Sequence, residues 1–475
     1  MLPIRTRIIA SLGPSSAREG VVEELVLLGV HCFRINFAHG GPDVWRSWVE
    51  IVRDVEKRVG KPIALMGDLV GPSIRLGVIR EPIRLKPGEK VVFRLGEESA
   101  GGEERVAPLP LRAFFEGVEE GDVIVLDDGR ARLRVVEARA REIVAEALTE
   151  AVLSSRKALV VQGKEFNLPV LGPKDMEHLR FALDHEFDFI ALSYVRGPGD
   201  VEVVESMVRE MGGDAWIVAK IETRRAVENL HAILRRTRTI VVARGDLGMN
   251  YGLEEVPFLQ KMIVEEARKA GRQVIVATQL LESMIENPVP TRAEVTDVAN
   301  AVEQGADALM LTGETSIGKY PVEAVKWLRK IIGYTEAHTI PRKVVPRGER
   351  WAYANSIVSL AEALNAKLLV FTLGGTLPPY ISLSRPRIPA YIGVGNMKTA
   401  RKLQIMWGLD VHIVEAKGYE EGLGKLEQKL FEVGEITLGD TIVEAYRTEE
   451  GGDHVILIKK LLRPPTQQKS VEEKE

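Results

Sequence analysis

The 475-residue chain contains a single cysteine, Cys32, which excludes an internal disulfide. Its charges nearly balance, with 64 Lys and Arg against 68 Asp and Glu, so composition gives no support for nucleic acid or an anionic membrane as a partner. No apolar run approaches the roughly 18 residues of a membrane-spanning helix, and the N-terminus lacks a signal-peptide pattern. We therefore predict a cytoplasmic protein without nucleic-acid or membrane partners.

Two common phosphate-binding motifs are also missing, because the sequence has neither GxxxxGK[ST] nor a GxGxxG placed between a strand and a helix. It has instead eight short β-branched segments, nearly all separated by helical patterns. These segments are RTRIIASLG, HCFRINF, PIALMGDL, FDFIALSYV, AWIVAKIET, TIVVARGDL, RQVIVAT and ADALMLTGE. Eight strand and helix units predict an α/β fold, a (β/α)8 TIM barrel.

Two parts of the chain depart from this pattern. Residues 72–156 alternate polar and apolar positions between turn signals, which predicts an inserted all-β lid domain after the third strand. The linker PRKVVPRGER then leads into a smaller C-terminal α/β domain, residues 341–465. The barrel is expected to comprise residues 1–71 and 157–340, and the polar tail 466–475 is expected to be disordered.

Charged residues lie at the ends of two successive predicted strands. Lys220 and Glu222 are two residues apart in AKIET, so they share one face of a strand, and Arg244 and Asp246 repeat this spacing in VARGDLG. A structural salt bridge would explain one such pair as well as a functional site does, but two pairs in successive strands favour a site. In TIM barrels the catalytic groups lie at the carboxyl ends of the strands.

The residue types at these strand ends indicate a particular chemistry. Glu222 and Asp246 offer two carboxylates from adjacent strands, which suits Mg²⁺ with its other positions left to water and substrate oxygens. Arg34, Arg75 and Lys220 add positive charge around them. Such an arrangement stabilises a phosphoryl group in transfer, since its negative charge is spread over its oxygens.

Nearly the whole chain resembles the pyruvate kinase family, in particular archaeal and bacterial members without an N-terminal extension. The motifs that carry the resemblance are IIASLGPSS, FRINFAHG, GDLVGPSIR, NLP, AKIET, VARGDLG, ATQLLESM, PTRAEVTDVANAV and MLTGETSIGKYPVEAV. The resemblance implies a homotetramer in which each chain has a barrel, a lid and a C-terminal domain. It also implies a phosphotransferase of the final step of glycolysis, which converts phosphoenolpyruvate and ADP to pyruvate and ATP.

The resemblance further implies roles for individual residues. Glu222 and Asp246 would bind Mg²⁺ or Mn²⁺, and Lys220 would stabilise the transition state together with Arg34 and Thr278. Substrate contacts are implied for Arg34, Lys220, Gly245, Asp246 and Thr278. Nucleotide contacts are implied for Asn36, Phe37, Ala38, His39, Arg75 and Lys164.

Two departures from the family pattern concern a monovalent cation, whose ligands would come from Asn36, Asp68 and Leu69. The family usually has Ser where this chain has Ala38, and its DTKGPEIR is replaced by DLVGPSIR, which puts Ser73 in place of Glu. One oxygen ligand and one carboxylate are thereby lost. We predict that K⁺ is not required.

Two other classes of function compete with this reading. A Mg²⁺-dependent barrel lyase acting on a 2-oxo or enolate acid would also need Arg, Glu and Asp at strand ends, but it would not bind ADP. A non-enzymatic scaffold has no reason to keep polar residues at nearly every strand end, and it would form no ATP.

Overall fold

The computed structural model describes residues 4–98, 105–345, 347–447 and 454–465, and the predicted disordered tail lies outside these ranges. The first part of the chain supplies three strands of the barrel whose residues are mostly buried. These strands are β1 (Arg7–Ser11), β2 (Val30–Asn36) and β3 (Ala64–Asp68), and helices α1 (Glu19–Leu27) and α2 (Pro42–Val59) connect them. Helix α2 ends at Gly60, whose φ of 66° is the left-handed conformation that glycine adopts without strain.

The inserted segment forms a separate β domain with its own apolar core around Phe93 and Phe114. Seven of its strands form one sheet in the order β4-β12-β8-β9-β10-β6-β7, while β5 pairs with β11. The bounds are β4 (Ile74–Arg75), β5 (Ile83–Leu85), β6 (Lys90–Leu95), β7 (Val106–Leu109), α3 (Arg112–Gly117), β8 (Val123–Leu126), β9 (Ala131–Arg139), β10 (Glu142–Ala147), β11 (Ala151–Leu153) and β12 (Ala158–Val161).

The end of the inserted domain follows from the pairing of its last strand. Strand β12 pairs with β4 and β8, so residues 158–161 belong to the sheet of the lid. We propose that the lid domain extends to Val161, past the boundary at residue 156 that the sequence predicts.

The chain then returns to the barrel and closes it. All eight predicted strands are present and confirm the TIM barrel, whose order is β1-β17-β16-β15-β14-β13-β3-β2. The added strands are β13 (Phe189–Leu192), β14 (Trp216–Ile221), β15 (Thr239–Ala243), β16 (Gln273–Ala277) and β17 (Ala308–Leu311). The helices are α4 (Pro173–Asp184), α5 (Pro198–Glu210), α6 (Arg224–Glu228), α7 (Leu230–Arg236), α8 (Arg244–Asn250), α9 (Val256–Lys269), α10 (Arg292–Gln304), α11 (Gly313–Ser316) and α12 (Pro321–His338).

The C-terminal domain is a five-stranded sheet in the order β20-β19-β18-β21-β22, flanked by helices. Its elements are α13 (Glu349–Ala363), β18 (Lys367–Thr372), α14 (Pro378–Leu383), β19 (Ala390–Val394), α15 (Met397–Lys402), β20 (Leu409–Ile413), α16 (Tyr419–Glu432), β21 (Thr441–Arg447) and β22 (His454–Lys460). It contacts the amino ends of the barrel strands, where Arg7 Nε donates to the Met406 carbonyl at 2.7 Å. The carboxyl ends of the strands therefore face away from it, toward the lid.

None of the helices in the described ranges is both long and apolar enough to cross a membrane.

Candidate active site

Asp68, at the end of β3, organises two cations at the barrel mouth. Arg34 Nε–H donates to Asp68 Oδ2 at 2.7 Å, and Lys220 Nζ lies 3.7 Å from Asp68 Oδ1. Lys220 also donates to Ser193 Oγ at 2.8 Å. Burial opposes ionisation of Asp68, but Lys220 and Arg34 outweigh it and hold the pKa of this carboxyl below its usual value. The cluster is thus preorganised with its charges present.

Lys220 is fixed as a cation in a buried position. Burial favours its neutral amine, but Asp68, Glu222 and Asp246 together raise the pKa of Lys220 above its ordinary value. A lysine held charged among carboxylates cannot act as a proton acceptor at neutral pH. It can stabilise negative charge that develops on a substrate.

Glu222, directly after β14, is fully buried, and only one of its two carboxylate oxygens accepts a hydrogen bond from the described residues. Its Oε1 accepts the backbone N–H of Tyr194 at 2.6 Å. Its Oε2 is 3.2 Å from Lys220 Nζ but accepts no hydrogen bond from the described residues. Burial raises the pKa of Glu222, and the nearby charge of Asp246 adds to this, while Lys220 opposes it. A carboxylate oxygen in this state is suited to a further cationic partner.

Tyr194 links the two carboxylates that were predicted to bind a metal. Besides its backbone contact with Glu222, its hydroxyl donates to Asp246 Oδ1 at 3.2 Å. Burial, Asp246 and Glu222 raise the pKa of Tyr194 well above its usual value, so the phenol remains a donor. Its φ of 56° is in the left-handed region, where a bulky residue is held only by its surroundings. Sequence reasoning missed Tyr194, since its role depends on this backbone conformation.

Glu222 and Asp246 fit Mg²⁺ better than a metal ion that is coordinated only by protein side chains. The described residues contain no group of three or more His, Cys, Asp or Glu side chains that could hold a metal ion. Mg²⁺ is commonly held by only one or two carboxylates, with water and substrate phosphates completing its shell. Glu222, with its unsatisfied Oε2, and the neighbouring Asp246 meet that requirement.

Helix α8 begins immediately after β15 and places Gly245 and Asp246 at the mouth. The backbone N–H of Gly245 donates to Thr278 Oγ1 at 2.9 Å, and Thr278 has a φ of 69°. The guanidinium of Arg244 donates to the Thr278 carbonyl and pairs with Asp297 at 2.6 Å. Its charge is thus neutralised within the barrel wall.

A cavity of about 280 Å³ opens between the barrel mouth and the lid. It brings together many of the predicted residues, namely Arg34, Asn36, Ala38, His39, Asp68, Leu69, Arg75, Lys220 and Asp246. Burial, Arg75 and Arg34 lower the pKa of His39, so its ring is neutral at pH 7. The lid contributes Asp127 and Lys157, which pair at 3.1 Å. The sequence analysis assigns Asp127 no role, because nothing local to it indicates that this part of the lid faces the barrel.

Two predicted nucleotide contacts lie outside this cavity. The Phe37 side chain is buried and packs edge-on against Trp45, with ring centroids 4.8 Å apart. Lys164 pairs with two lid carboxylates, Glu119 at 2.7 Å and Asp122 at 2.9 Å. In this conformation neither side chain reaches the mouth.

The oxygens predicted for a monovalent cation all have partners within the protein. Asn36 Oδ1 accepts the backbone N–H of Ala38 at 3.1 Å, and the Leu69 carbonyl accepts the hydroxyl of Ser193 at 2.7 Å. Asp68 pairs with Arg34 at 2.6 Å.

Comparisons with known proteins identify one family over nearly the whole chain. The barrel domain of pyruvate kinase matches residues 4–325, and the pyruvate kinase alpha/beta domain matches residues 352–455. The pyruvate kinase of Aeropyrum pernix is 39% identical over 459 residues, which cover 96% of this chain and 98% of that protein. The pyruvate kinase of Pyrobaculum aerophilum is 40% identical over 424 residues, covering 89% of this chain and 91% of that protein.

Solved structures give the same result. The crystal structure of pyruvate kinase from Pyrobaculum aerophilum superposes with a TM-score of 0.86 and 38% identity, covering 96% of this chain and 99% of that one. A pyruvate kinase from Cryptosporidium parvum superposes with a TM-score of 0.87 and 29% identity, covering 96% of each chain. The two family matches, the relatives and the superposed structures give one result: the chain belongs to the pyruvate kinase family of phosphotransferases.

Proposed function

We propose that this chain transfers the phosphoryl group of phosphoenolpyruvate to ADP in a Mg²⁺-dependent reaction at the barrel mouth, forming pyruvate and ATP. The observation that carries the proposal is the 3.2 Å contact between the Lys220 amine and a buried Glu222 whose Oε2 accepts no hydrogen bond from the described residues. Glu222 and Asp246 would hold the metal, which supplies positive charge to the phosphate oxygens. Mn²⁺ has similar ligand preferences and is expected to substitute for it.

The residues around this centre have complementary roles in the proposal. Lys220 would stabilise the charge on the phosphoryl group and on the enolate oxygen, and Arg34 would orient the phosphate. The backbone of Gly245 and Asp246 and the hydroxyl of Thr278 would receive the substrate carboxylate. The Gly245 N–H donates to Thr278 Oγ1, so the backbone amide and the hydroxyl are adjacent.

The nucleotide would enter between barrel and lid. Asn36, Ala38, His39 and Arg75 line that side of the cavity, and its basic residues match the charge of a diphosphate. We propose that Phe37 contacts the nucleotide through its backbone. Lys164 would reach the nucleotide after a movement of the lid that releases it from Glu119 and Asp122.

The assembly and compartment remain expectations that rest on the family. We propose a homotetramer that works in the cytoplasm.

The test of the proposed reaction is a metal titration of ATP formation. After removal of divalent cations with EDTA, a coupled assay with phosphoenolpyruvate and ADP is expected to show no turnover, and Mg²⁺ or Mn²⁺ is expected to restore it. Full activity in the metal-free enzyme would contradict the role assigned to Glu222 and Asp246.

K⁺ independence is expected because the oxygens predicted to bind it already have partners. Asn36 Oδ1, Asp68 and the Leu69 carbonyl are all engaged, and Ala38 offers no side-chain oxygen. Ser73, a neutral residue, stands where the family usually has Glu. Its Oγ accepts a hydrogen bond from Arg75 Nε at 3.0 Å. We expect kcat in tetramethylammonium buffer to change by less than about tenfold, or 1.4 kcal/mol, when KCl replaces that salt at constant ionic strength.

The converse experiment restores the family residues. The double variant Ala38→Ser/Ser73→Glu is expected to acquire K⁺ dependence, whereas Ala38→Ser alone, which adds no charge, is not. A wild-type enzyme that gains tenfold or more from K⁺ would refute this account of the cation.

Tyr194→Phe tests the link between the carboxylates. Removing the hydroxyl frees Asp246 Oδ1 but retains the backbone contact with Glu222. We expect Mn²⁺ affinity, measured by electron paramagnetic resonance, to fall by roughly tenfold, the scale of losses when a partner of a metal ligand is removed. Tyr251→Phe, which removes a hydroxyl outside the mouth cavity, is the control. Unchanged Mn²⁺ affinity in Tyr194→Phe would show that the hydroxyl does not position the ligand.

A further inference from the structure

The two carboxylates proposed to bind the metal lie on separate segments of the barrel. Glu222 directly follows β14, and Asp246 lies in the first turn of α8. The paired positions of β14 and β15 end at Ile221 and Val242, before either carboxylate. The separation of the two residues is therefore set by contacts other than strand pairing.

Asn250, the last residue of α8, connects the main chains of these two residues. Its Nδ2 donates to the Glu222 carbonyl at 2.9 Å and to the Asp246 carbonyl at 3.0 Å. Both partners only accept hydrogen bonds, so the donor is the amide nitrogen, which carries two hydrogens. The side chain of Asn250 is also buried, with 5% of the residue exposed. One buried amide thus bridges the two segments that carry the carboxylates.

A second hydrogen bond joins the same two segments in the opposite direction. Arg224, two residues after Glu222, donates from Nε to the Asn250 carbonyl at 2.9 Å. Its guanidinium also lies over the ring of Tyr251, 4.3 Å from the centroid. Asn250 is therefore held through its main chain as well as through its side chain, and its amide is preorganised for the two carbonyls.

The residue before Asn250 connects α8 to the lid. Met249 is buried in an apolar cluster with Val125 and Val160 of the lid. A movement of the lid therefore acts on the helix that carries Asp246. The bonds made by Asn250 oppose any shift of this helix away from Glu222, so they keep the two carboxylates in register.

We propose that Asn250 is a positioning residue for the metal centre, which sets the separation of Glu222 and Asp246 through their main chains. This inference rests on the proposed function, in which both carboxylates bind Mg²⁺. Mg²⁺ demands nearly ideal octahedral geometry, so two carboxylates bind it well only within a narrow range of separations. Groups that orient metal ligands typically contribute tenfold or more to metal affinity.

The test is Mn²⁺ binding to the full-length protein, measured by electron paramagnetic resonance, in Asn250→Leu and Asn250→Ala. Leucine keeps most of the side-chain volume and alanine does not, but both remove the amide. We expect each variant to bind Mn²⁺ at least about tenfold more weakly than the wild type. A loss in Asn250→Ala that is absent from Asn250→Leu would show that packing matters and the amide does not, which would overturn the proposal.

The matched control is Asn229→Leu. The Asn229 amide donates to the Arg196 carbonyl at 2.9 Å, so its loss also leaves a backbone carbonyl without its partner. Thermal unfolding in EDTA is expected to show a lower Tm for Asn229→Leu and for both Asn250 variants, but Asn229→Leu should bind Mn²⁺ as the wild type does. An equal loss of Mn²⁺ affinity in Asn229→Leu would mean that the effect follows stability, and it would overturn the proposal.

Arg224→Met provides an arm that leaves the buried amide in place. It removes the hydrogen bond to the Asn250 carbonyl at a partly exposed position, and it is expected to weaken Mn²⁺ binding by less than the Asn250 variants do. Wild-type Mn²⁺ affinity in Arg224→Met and in the Asn250 variants that fold would overturn the proposal. A wild type that binds no Mn²⁺ would overturn it together with the proposed function.

Other outcomes separate this inference from the proposed reaction. A wild type that binds Mn²⁺ through Asn250-dependent contacts but forms no ATP would contradict the reaction and support the positioning role. ATP formation by a wild type whose Mn²⁺ affinity is unchanged in both Asn250 variants would contradict only the positioning role.

Discussion

Lys220→Met is expected to lower kcat by at least about 100-fold, the size of loss seen when a preorganised transition-state contact is removed. Phosphoenolpyruvate should still bind, because Arg34 and the groups around Gly245 remain. The reason is that Lys220, held as a cation by the surrounding carboxylates, contributes most where negative charge increases during transfer. Methionine keeps much of the side-chain volume and removes the charge.

The control for this variant is Lys157→Met, which removes a cation from the lid side of the same cavity. It is expected to cost less than about tenfold in kcat, since Lys157 already pairs with Asp127. Circular dichroism checks that both variants fold. If Lys220→Met kept a near-normal kcat, Lys220 could not stabilise the transition state.

Glu222→Gln is expected to weaken Mn²⁺ binding by at least about 100-fold, more than is usual for losing a partner of a metal ligand. The substitution preserves the shape of a fully buried side chain but removes the carboxylate charge. Hard divalent cations bind carboxylate oxygens far better than a neutral amide that also presents a donor. Electron paramagnetic resonance measures bound Mn²⁺ directly and does not depend on turnover.

Glu165→Gln serves as the control, because Glu165 lies beside the lid and contacts Arg225 rather than the mouth carboxylates. Its Mn²⁺ affinity should equal that of the wild type. Equal affinities in Glu222→Gln and the wild type would show that Glu222 does not bind the metal. The buried Oε2 would then not have the role proposed for it.

The centre of the candidate site could be predicted from local sequence. Strand alternation places Lys220 and Glu222 on one face, and the next strand supplies Asp246, so three residues of the candidate site follow from two short segments. The eight strands could be predicted for a similar reason, since short apolar runs are typical of strands that are buried in a parallel barrel. Residue type and spacing are sufficient here.

Other features depend on contacts between distant segments and were not predictable in this way. Tyr194 reaches Asp246 only because its backbone is left-handed, and Arg244 turns into the barrel wall because Asp297 lies there. The lid residue Asp127 enters the mouth through the packing of two domains.

The most direct test of the central claim is phosphorus nuclear magnetic resonance of the wild-type enzyme with phosphoenolpyruvate, ADP and Mg²⁺. Phosphoryl transfer at the Lys220, Glu222 and Asp246 centre predicts that ATP appears in equal amount to the phosphoenolpyruvate consumed, and that nothing is consumed when ADP is omitted. Consumption of phosphoenolpyruvate that does not require ADP, or that releases inorganic phosphate in place of ATP, would contradict it.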